Sequence, residues 1–164
     1  MNLWHYDSPL GQMLLAEEAG ALVGLWFSGQ KHYPESIIGE YRETPAISQA
    51  ESWLDRYFAG QSPDPRELKL NPQGSEFRRE VWELLLEIPY GKTTTYGELA
   101  GKIAKKRGLS HMSAQAVGGA VGSNPISVII PCHRVLGADG SLTGYAGGLE
   151  RKQFLLRLEG DNTK

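Results

Sequence analysis

The sequence predicts two domains: a small α/β domain over residues 1–74, then a mainly helical, helix-turn-helix-like domain over residues 75–164. Three observations carry this. At 164 residues, length divided by about 150 allows one to two domains. The run Gly60-Gln-Ser-Pro-Asp-Pro-Arg-Glu-Leu-Lys-Leu-Asn-Pro-Gln-Gly74 is punctuated by glycine and proline and reads as a linker. Charge also changes sign across it. Residues 1–74 hold 5 Lys/Arg against 10 Asp/Glu, and residues 75–164 hold 12 against 9, so the overall charge of −2 conceals a net −5 half and a net +3 half.

In the first half, Leu14-Leu-Ala and Leu22-Val-Gly-Leu-Trp-Phe27 flank Glu17-Glu-Ala-Gly20, the pattern of a hairpin with glycine at its turn. Ile47, Ala50, Leu54, Tyr57 and Phe58 then recur at three- and four-residue steps, an amphipathic helix ending at Gly60. No catalytic cluster is visible here, and a support role is expected.

The second half opens with Ser75 as N-cap and Phe77, Val81, Trp82, Leu85 and Ile88 as a buried stripe stopped by Pro89. Thr95-Tyr-Gly-Glu98 matches a capping box, in which hydroxyl and carboxylate would satisfy each other's backbone donors. It starts a helix through Leu99, Ala100 and Ile103, followed by the basic run Lys105-Lys-Arg107. A short helix over Ser113-Ala-Gln-Ala-Val-Gly-Gly-Ala-Val121 completes the helix-turn-helix-like pair. Its Ala114, Ala116, Gly118, Gly119 and Ala120 leave the backbone nearly bare. Glycine is a poor helix former, so either tight internal packing or close approach of another surface is required. Ile126 to Ile130 reads as a buried strand, and Leu149 to Leu158 as a final helix stopped at Gly160.

The composition, 40% hydrophobic and 22% charged, is that of a packed globular chain rather than a disordered one. Its slightly negative charge argues against a binder that is strongly cationic throughout. The single cysteine, Cys132, excludes an intrachain disulfide and a Cys-rich zinc site. No leader pattern and no apolar run of about 18 residues is present, so a cytoplasmic address with a reduced thiol is expected.

Pro131 stiffens the backbone ahead of Cys132, and His133 and Arg134 are neighbours of the kind that lower a thiol pKa. A carboxylate orienting the imidazole would complete an activated nucleophile. Spacing leaves Asp139, Glu150 and Glu159 equally open for that role. The alternative for any isolated Cys-His pair is a buried, inert thiol.

The stretch Asn124-Pro-Ile-Ser-Val-Ile-Ile-Pro-Cys-His-Arg-Val135, with Gly144-Tyr-Ala-Gly-Gly148 after it, resembles the active-site signature of the O6-alkylguanine-DNA alkyltransferases. The Pro-Cys-His-Arg-Val core is highly specific to that family. The resemblance covers Ser75 to Gly160, and the first half by length and layout only. It implies a ribonuclease-H-like N-terminal α/β domain and a winged-helix-like C-terminal domain that binds double-stranded DNA through its minor groove. It further implies a monomer that repairs O6-alkylguanine by flipping the base out and taking the alkyl group onto its own cysteine, once.

By that resemblance Cys132 is the alkyl acceptor, His133 deprotonates it through a water, and Glu159 orients the imidazole. Asn124 is the hinge asparagine, and Tyr96 helps rotate the nucleotide and protonates the leaving guanine. The Val135 carbonyl and the Tyr145-Ala146 backbone read the base edge, with Arg134 beside them among the substrate-binding residues. The Ala/Gly-rich helix, with Ala114, Gln115, Ala116 and Gly118, is the recognition helix. In one place the chain departs from the family: Gln115 stands where an arginine enters the duplex, which predicts weaker duplex binding. Lys105, Lys106 and Arg107, in a longer connection than usual, are expected to compensate through phosphate contacts.

No zinc, flavin or nucleotide motif is present, so no cofactor and no metal are expected, and no membrane partner. Three rival readings are weaker. A non-catalytic lesion-binding or regulatory protein of the same fold would lack the acceptor cysteine. A thiol hydrolase needs an oxyanion hole and a hydrolytic step and gives the helical half no role. His5, His32, His111 and His133 lack regular metal-ligand spacing.

Overall fold

The computed structural model describes residues 1–160, so residues 161–164 of the expected second domain lie outside the described residues. The chain forms two compact units, Met1–Gln73 with Pro125–Ile129, and Gly74–Asn124 with the chain from Ile130 onward. No helix of the described residues is long and apolar enough to cross a membrane.

The first unit is a four-stranded sheet backed by one helix. Strands β1 (Asn2–Ser8), β2 (Gly11–Glu18), β3 (Ala21–Phe27) and β4 (Glu40–Tyr41) lie in the order β3-β2-β1-β4. The predicted hairpin is β2-β3, in register Met13↔Phe27 to Glu18↔Ala21. Its turn, Ala19-Gly20, has φ of 53° and 84°, the two positive angles that a tight hairpin matching the strand twist demands. β2 is central and buried from Met13 to Glu17. β1 and β4 were not expected: β1 is only partly buried and β4 has two residues, so neither leaves a strong alternation.

Helix α1 (Pro45–Phe58) is capped by Thr44, whose side chain accepts from Ile47 N. It ends in a Schellman motif, with Gly60 N donating to Tyr57 O and Gln61 N to Arg56 O. Ile47, Ala50, Trp53, Leu54 and Tyr57 are buried, each large side chain contributing about 1.5–3 kcal/mol. The linker is tied down. Trp53 Nε1 donates to Asp64 O at 3.0 Å, and Leu22 exchanges backbone bonds with Lys69 and Asn71. Further along the same edge, Leu25 N donates to Pro125 O and Ser127 N to Leu25 O. Two segments thus cover the outer edge of β3, which would otherwise expose unpaired backbone groups.

On α1, burial and then a hydrogen bond and charge repulsion from Glu43 raise the Glu51 carboxyl to about 7. A carboxyl raised in the folded state adds stability that is complete below its unfolded value and is lost as pH rises through the folded one. Thermal stability from this group should therefore fall as pH rises from about 4.5 to about 7, and Glu51→Gln should flatten that fall. Thermal melts at a series of pH values check this; parallel profiles would contradict it.

The second unit holds α2 (Glu76–Leu85), α3 (Tyr96–Arg107), α4 (Ala114–Gly122) and α5 (Leu149–Leu158), with a parallel pair β5 (Thr94–Thr95) and β6 (Val135–Leu136). Ser75 and Thr95 cap α2 and α3 as the sequence predicts, and Ser113, expected inside the next helix, caps α4 instead. The capping box at α3 differs from expectation. The Thr95 hydroxyl accepts from Glu98 N, but the Glu98 carboxylate accepts from that same hydroxyl instead of from a backbone donor. Trp82 Nε1 donates to Ala120 O at 2.8 Å, joining α2 to α4 through the core.

The expected strand over Ile126–Ile130 does not form. Ile126 makes one bridge to Leu25, and the chain then turns sharply. Ile129 N bonds Ser127 O across Val128 at φ 73°, the rarer and strained form of γ-turn. Cys132 N bonds Ile130 O across Pro131 at φ −81°, ψ 64°, the relaxed inverse form. Cys132–Arg134 is consequently a single 3₁₀ turn rather than extended chain. A short apolar run has the same composition in a strand and in a buried turn, and prolines at both ends favour the turn here.

Candidate active site

The turn that replaces the strand is braced by Asn124, whose Nδ2 donates to Ile130 O at 2.8 Å. Asn124 also hydrogen-bonds the Cys132 thiol. Cys132 is 6% exposed and His133 fully buried. Of the three carboxylates left open by spacing, Glu159 meets the imidazole, with Nε2 2.6 Å from its Oε2. Asp139 instead binds Ser141 N in its own loop, and Glu150 is exposed in the first turn of α5.

Arg134 is turned to Glu159 and Ile88. Its Nε and one terminal nitrogen donate to Glu159 at 2.7 and 3.0 Å, and the other terminal nitrogen donates to Ile88 O at 2.7 Å. Its guanidinium lies over the Tyr90 ring, 5.7 Å from the centroid. With Gly91 N also donating to Oε1, the Glu159 carboxylate is satisfied by four donors. Burial alone would raise the Glu159 carboxyl, but His133 and Arg134 hold it down at about 2.

These contacts set the protonation of the other groups. Burial, the largest influence, lowers the His133 pKa; Glu159 works against it, and the charges of Arg134 and Lys152 add to the lowering. The imidazole is therefore neutral. A carboxylate on Nε2 keeps the proton there and leaves Nδ1 as an acceptor, and Nδ1 is buried with no hydrogen-bond partner among the described residues.

The thiol runs opposite to the sequence expectation. Burial pushes the Cys132 thiol up, against the Asn124 hydrogen bond and the Lys152 charge. Arg134 cannot lower it because its guanidinium is spent on Glu159. The resting pair is thus a thiol and a neutral imidazole.

Lys152 was missed by the sequence reading. It is fully buried on α5, and its Nζ donates to Val135 O at 2.6 Å, Thr143 O at 2.9 Å and Gly144 O at 3.2 Å. Burial lowers it to about 8, although the Cys132 charge favours its protonated form. A signal was present: Lys152 shares one helix face with Leu155, Leu156 and Glu159, all buried. Tyr96, at the start of α3, donates to the same Thr143 oxygen at 3.3 Å, with its phenol raised by burial. Val135, Tyr145 and Ala146 lie in the strand and loop that Lys152 holds.

Helix α4 answers the question posed by its glycines. Val117, Ala120 and Val121 face the core, while Ala114, Gln115 and Ala116 are exposed. A Cβ on Gly118 would make ordinary contact with the Tyr96 ring at 3.7 Å, and one on Gly119 would meet nothing within 4 Å. Packing within the chain therefore does not require either glycine. In the basic run, Lys105 and Lys106 are exposed, but Arg107 Nε is paired with Glu80 at 2.7 Å and its guanidinium lies over Phe77. That pairing engages Arg107 through Nε at an exposed position.

Comparison with known proteins agrees with this architecture. The family model described as 6-O-methylguanine DNA methyltransferase, DNA binding domain, matches residues 76–161. The ribonuclease-like domain of the same family matches residues 4–72. A methylated-DNA–protein-cysteine methyltransferase of Haemophilus influenzae is 41% identical over 155 residues, covering 94% of this chain and 84% of its own. One from Methanosarcina acetivorans is 44% identical over 158 residues, covering 94% and 96%. The crystal structure of Mycobacterium tuberculosis OGT in complex with DNA superposes with a TM-score of 0.82 at 41% identity, covering 97% of this chain and 92% of that one. With both of its domains matched and such identity over nearly its whole length, the chain belongs to the 6-O-methylguanine DNA methyltransferase family.

Proposed function

We propose that this chain repairs double-stranded DNA directly, taking the alkyl group of O6-alkylguanine onto Cys132. The observation that carries the reading is an imidazole whose Nε2 is held by Glu159 and whose buried Nδ1 has no partner among the described residues, in the same turn as a buried thiol. A base stacked in a duplex cannot reach a buried sulfur, so it must be flipped out. The thiol proton passes to His133 Nδ1 through a water, and the thiolate attacks the alkyl carbon as the carbon–oxygen bond to guanine breaks. Tyr96 supplies a proton toward the departing base, offsetting its developing charge. The product is a thioether with no acyl carbon for water to attack. Cys132 is thus used once, and no cofactor takes part.

In this reading Asn124 is the hinge that fixes the turn carrying Cys132. The Val135 carbonyl and the Tyr145-Ala146 backbone read the base edge. The exposed face of α4, with Ala114, Gln115, Ala116 and Gly118, enters the minor groove, where the bare backbone allows close approach. Gln115 takes the intercalating position with less reach than an arginine. Arg134 acts behind His133, as a charge partner that keeps Glu159 ionised. The protein works as a monomer in the cytoplasm, where its single thiol stays reduced. The presence of Cys132 favours transfer over the lesion-binding alternative.

Incubation with a duplex oligonucleotide containing O6-methylguanine, followed by mass analysis of the peptide holding Cys132, tests the reaction. One methyl per chain, absent in Cys132→Ser, is the expected result; an unmodified Cys132 with the lesion left intact would refute it. The role of α4 has its own test. Gly119→Ala should raise stability by up to about 1 kcal/mol, because alanine is the better helix former, while weakening duplex binding through the added methyl. Melting and duplex affinity measured on the same variant decide, and unchanged affinity would remove α4 from the interface.

A further inference from the structure

Residues 108–113 join α3 to α4, and with α3 they form an open groove of about 520 Å³. Its floor is the backbone of α3, because Gly97, Gly101 and Ala104 leave that face of the helix almost without side chains. Lys105, Ser110 and His111 also line it. All three are exposed, and none of their side chains has a hydrogen-bond or ion-pair partner among the described residues. No carboxylate of the described residues lines the groove.

The proposed repair gives this groove no part. Yet it begins at Gly97, beside Tyr96, and ends at Ala114, the first residue of α4. Both ends border groups that face the duplex in that reading, so a strand running between those groups lies along the groove. Its chemistry suits a phosphate: Lys105 supplies a positive charge, Ser110 and His111 supply hydrogen-bond donors, and no acid opposes them. Lys106 does not line it, and Arg107 lines a separate cavity with Glu80 and Phe77. Gln115 is uncharged, so attraction for the phosphates has to come from outside the exposed face of α4. We propose that the groove seats the sugar–phosphate backbone of the duplex, with Lys105, Ser110 and His111 as its phosphate contacts. The inference rests on α4 being the duplex-facing helix.

Phosphate contacts fix a protein on the duplex and carry no sequence information. The groove therefore adds affinity for damaged and undamaged duplex alike and leaves the transfer step untouched. A cation that neutralises a phosphate releases counterions, so Lys105 accounts for about one unit of the slope of log affinity against log salt. The Ser110 hydroxyl adds affinity without releasing counterions and leaves that slope alone.

Lys105→Ala, Ser110→Ala and His111→Ala, singly and combined in the full chain, should be compared with the parent. Affinity for a labelled duplex, with and without O6-methylguanine, is measured between about 50 and 200 mM salt, alongside Tm and the single-turnover rate at saturating duplex. Lys69→Ala, in the linker of the first unit, is the charge-matched control. The triple variant should bind both duplexes about 10- to 100-fold more weakly, with a salt slope about one unit shallower. Its Tm and saturated rate should match the parent, because the three side chains hold nothing within the chain. Parental affinity and slope would overturn the proposal. So would an equal loss in Lys69→Ala, which would mark an effect of net charge alone, or a loss confined to the damaged duplex, which would mark base reading. Failure of the underlying reading is distinguishable. If α4 does not face the duplex, Gly119→Ala binds like the parent and this proposal falls with it; a weakened Gly119→Ala beside a parental triple variant refutes the groove alone.

Discussion

Replacing Glu159 by Gln is expected to destabilise the protein by about 3–5 kcal/mol and to slow transfer by about a hundredfold or more. Glutamine keeps the size of the side chain but removes the charge that faces the buried guanidinium of Arg134, and an uncompensated buried cation is the costly outcome. The kinetic loss has a separate cause. An amide nitrogen turned toward Nε2 would draw the imidazole into the other tautomer, placing the proton on Nδ1, where it blocks acceptance from Cys132. At about 2–4 °C per kcal/mol for a chain of this size, the melting temperature should drop by about 6–20 °C. A variant within about 2 °C of the parent would show that Arg134 finds another partner.

The same coupling sets an acid limit. The Glu159 carboxyl is held at about 2 in the folded protein against an ordinary value of 4.5. A depressed carboxyl contributes stability that is present above its unfolded value and lost as pH falls through the folded one. Glu159 should therefore contribute about 3 kcal/mol at neutral pH, lost between about pH 4.5 and 2. Acid titrations of the parent measure this without relying on a variant that has to fold.

Lys152→Met should cost about 2–4 kcal/mol and lower the melting temperature by about 5–15 °C. Methionine matches the length of the stem, so the packing survives, but Val135 O, Thr143 O and Gly144 O lose their common donor. Those carbonyls belong to β6 and to the loop leading into Tyr145, so their release should also loosen the groups proposed to read the base. Loss of the cation raises the thiol further and should move the rate–pH profile upward. Thermal melts and single-turnover kinetics on the same variant check both effects. A stable variant with parental kinetics would mean that the loop is held by other contacts.

Local chemistry was legible in the sequence. The hydroxyls of Ser75 and Thr95 mark helix starts because a cap needs only a side chain and a backbone amide three residues apart. The hairpin turn at Gly20, the helix stop at Gly60 and the core stripe of α2 follow for the same reason. What failed was non-local. β5 and β6 are two-residue strands about 40 positions apart, too short to leave a period. The run Ile126–Ile130 is apolar whether strand or turn, and one bridge with two γ-turns decided the matter. Arg134 stands next to His133 in the chain, yet its guanidinium is committed to Glu159, 25 residues away.

The sequence by itself determined that one cysteine, in a stiffened Pro-Cys-His-Arg context beside a helix with an almost bare backbone, was the feature to explain. Those are statements about residue types and spacing, which need no third dimension. The family resemblance already named Glu159 for His133, whereas only the tertiary structure decided which imidazole nitrogen is left free and that burial pushes the thiol up. It also decided that a buried lysine ties the loop of Tyr145 to the strand after the cysteine. Each of these depends on burial and on partners brought from distant positions, and desolvation, the largest influence on Cys132 and His133, cannot be read from neighbours along the chain.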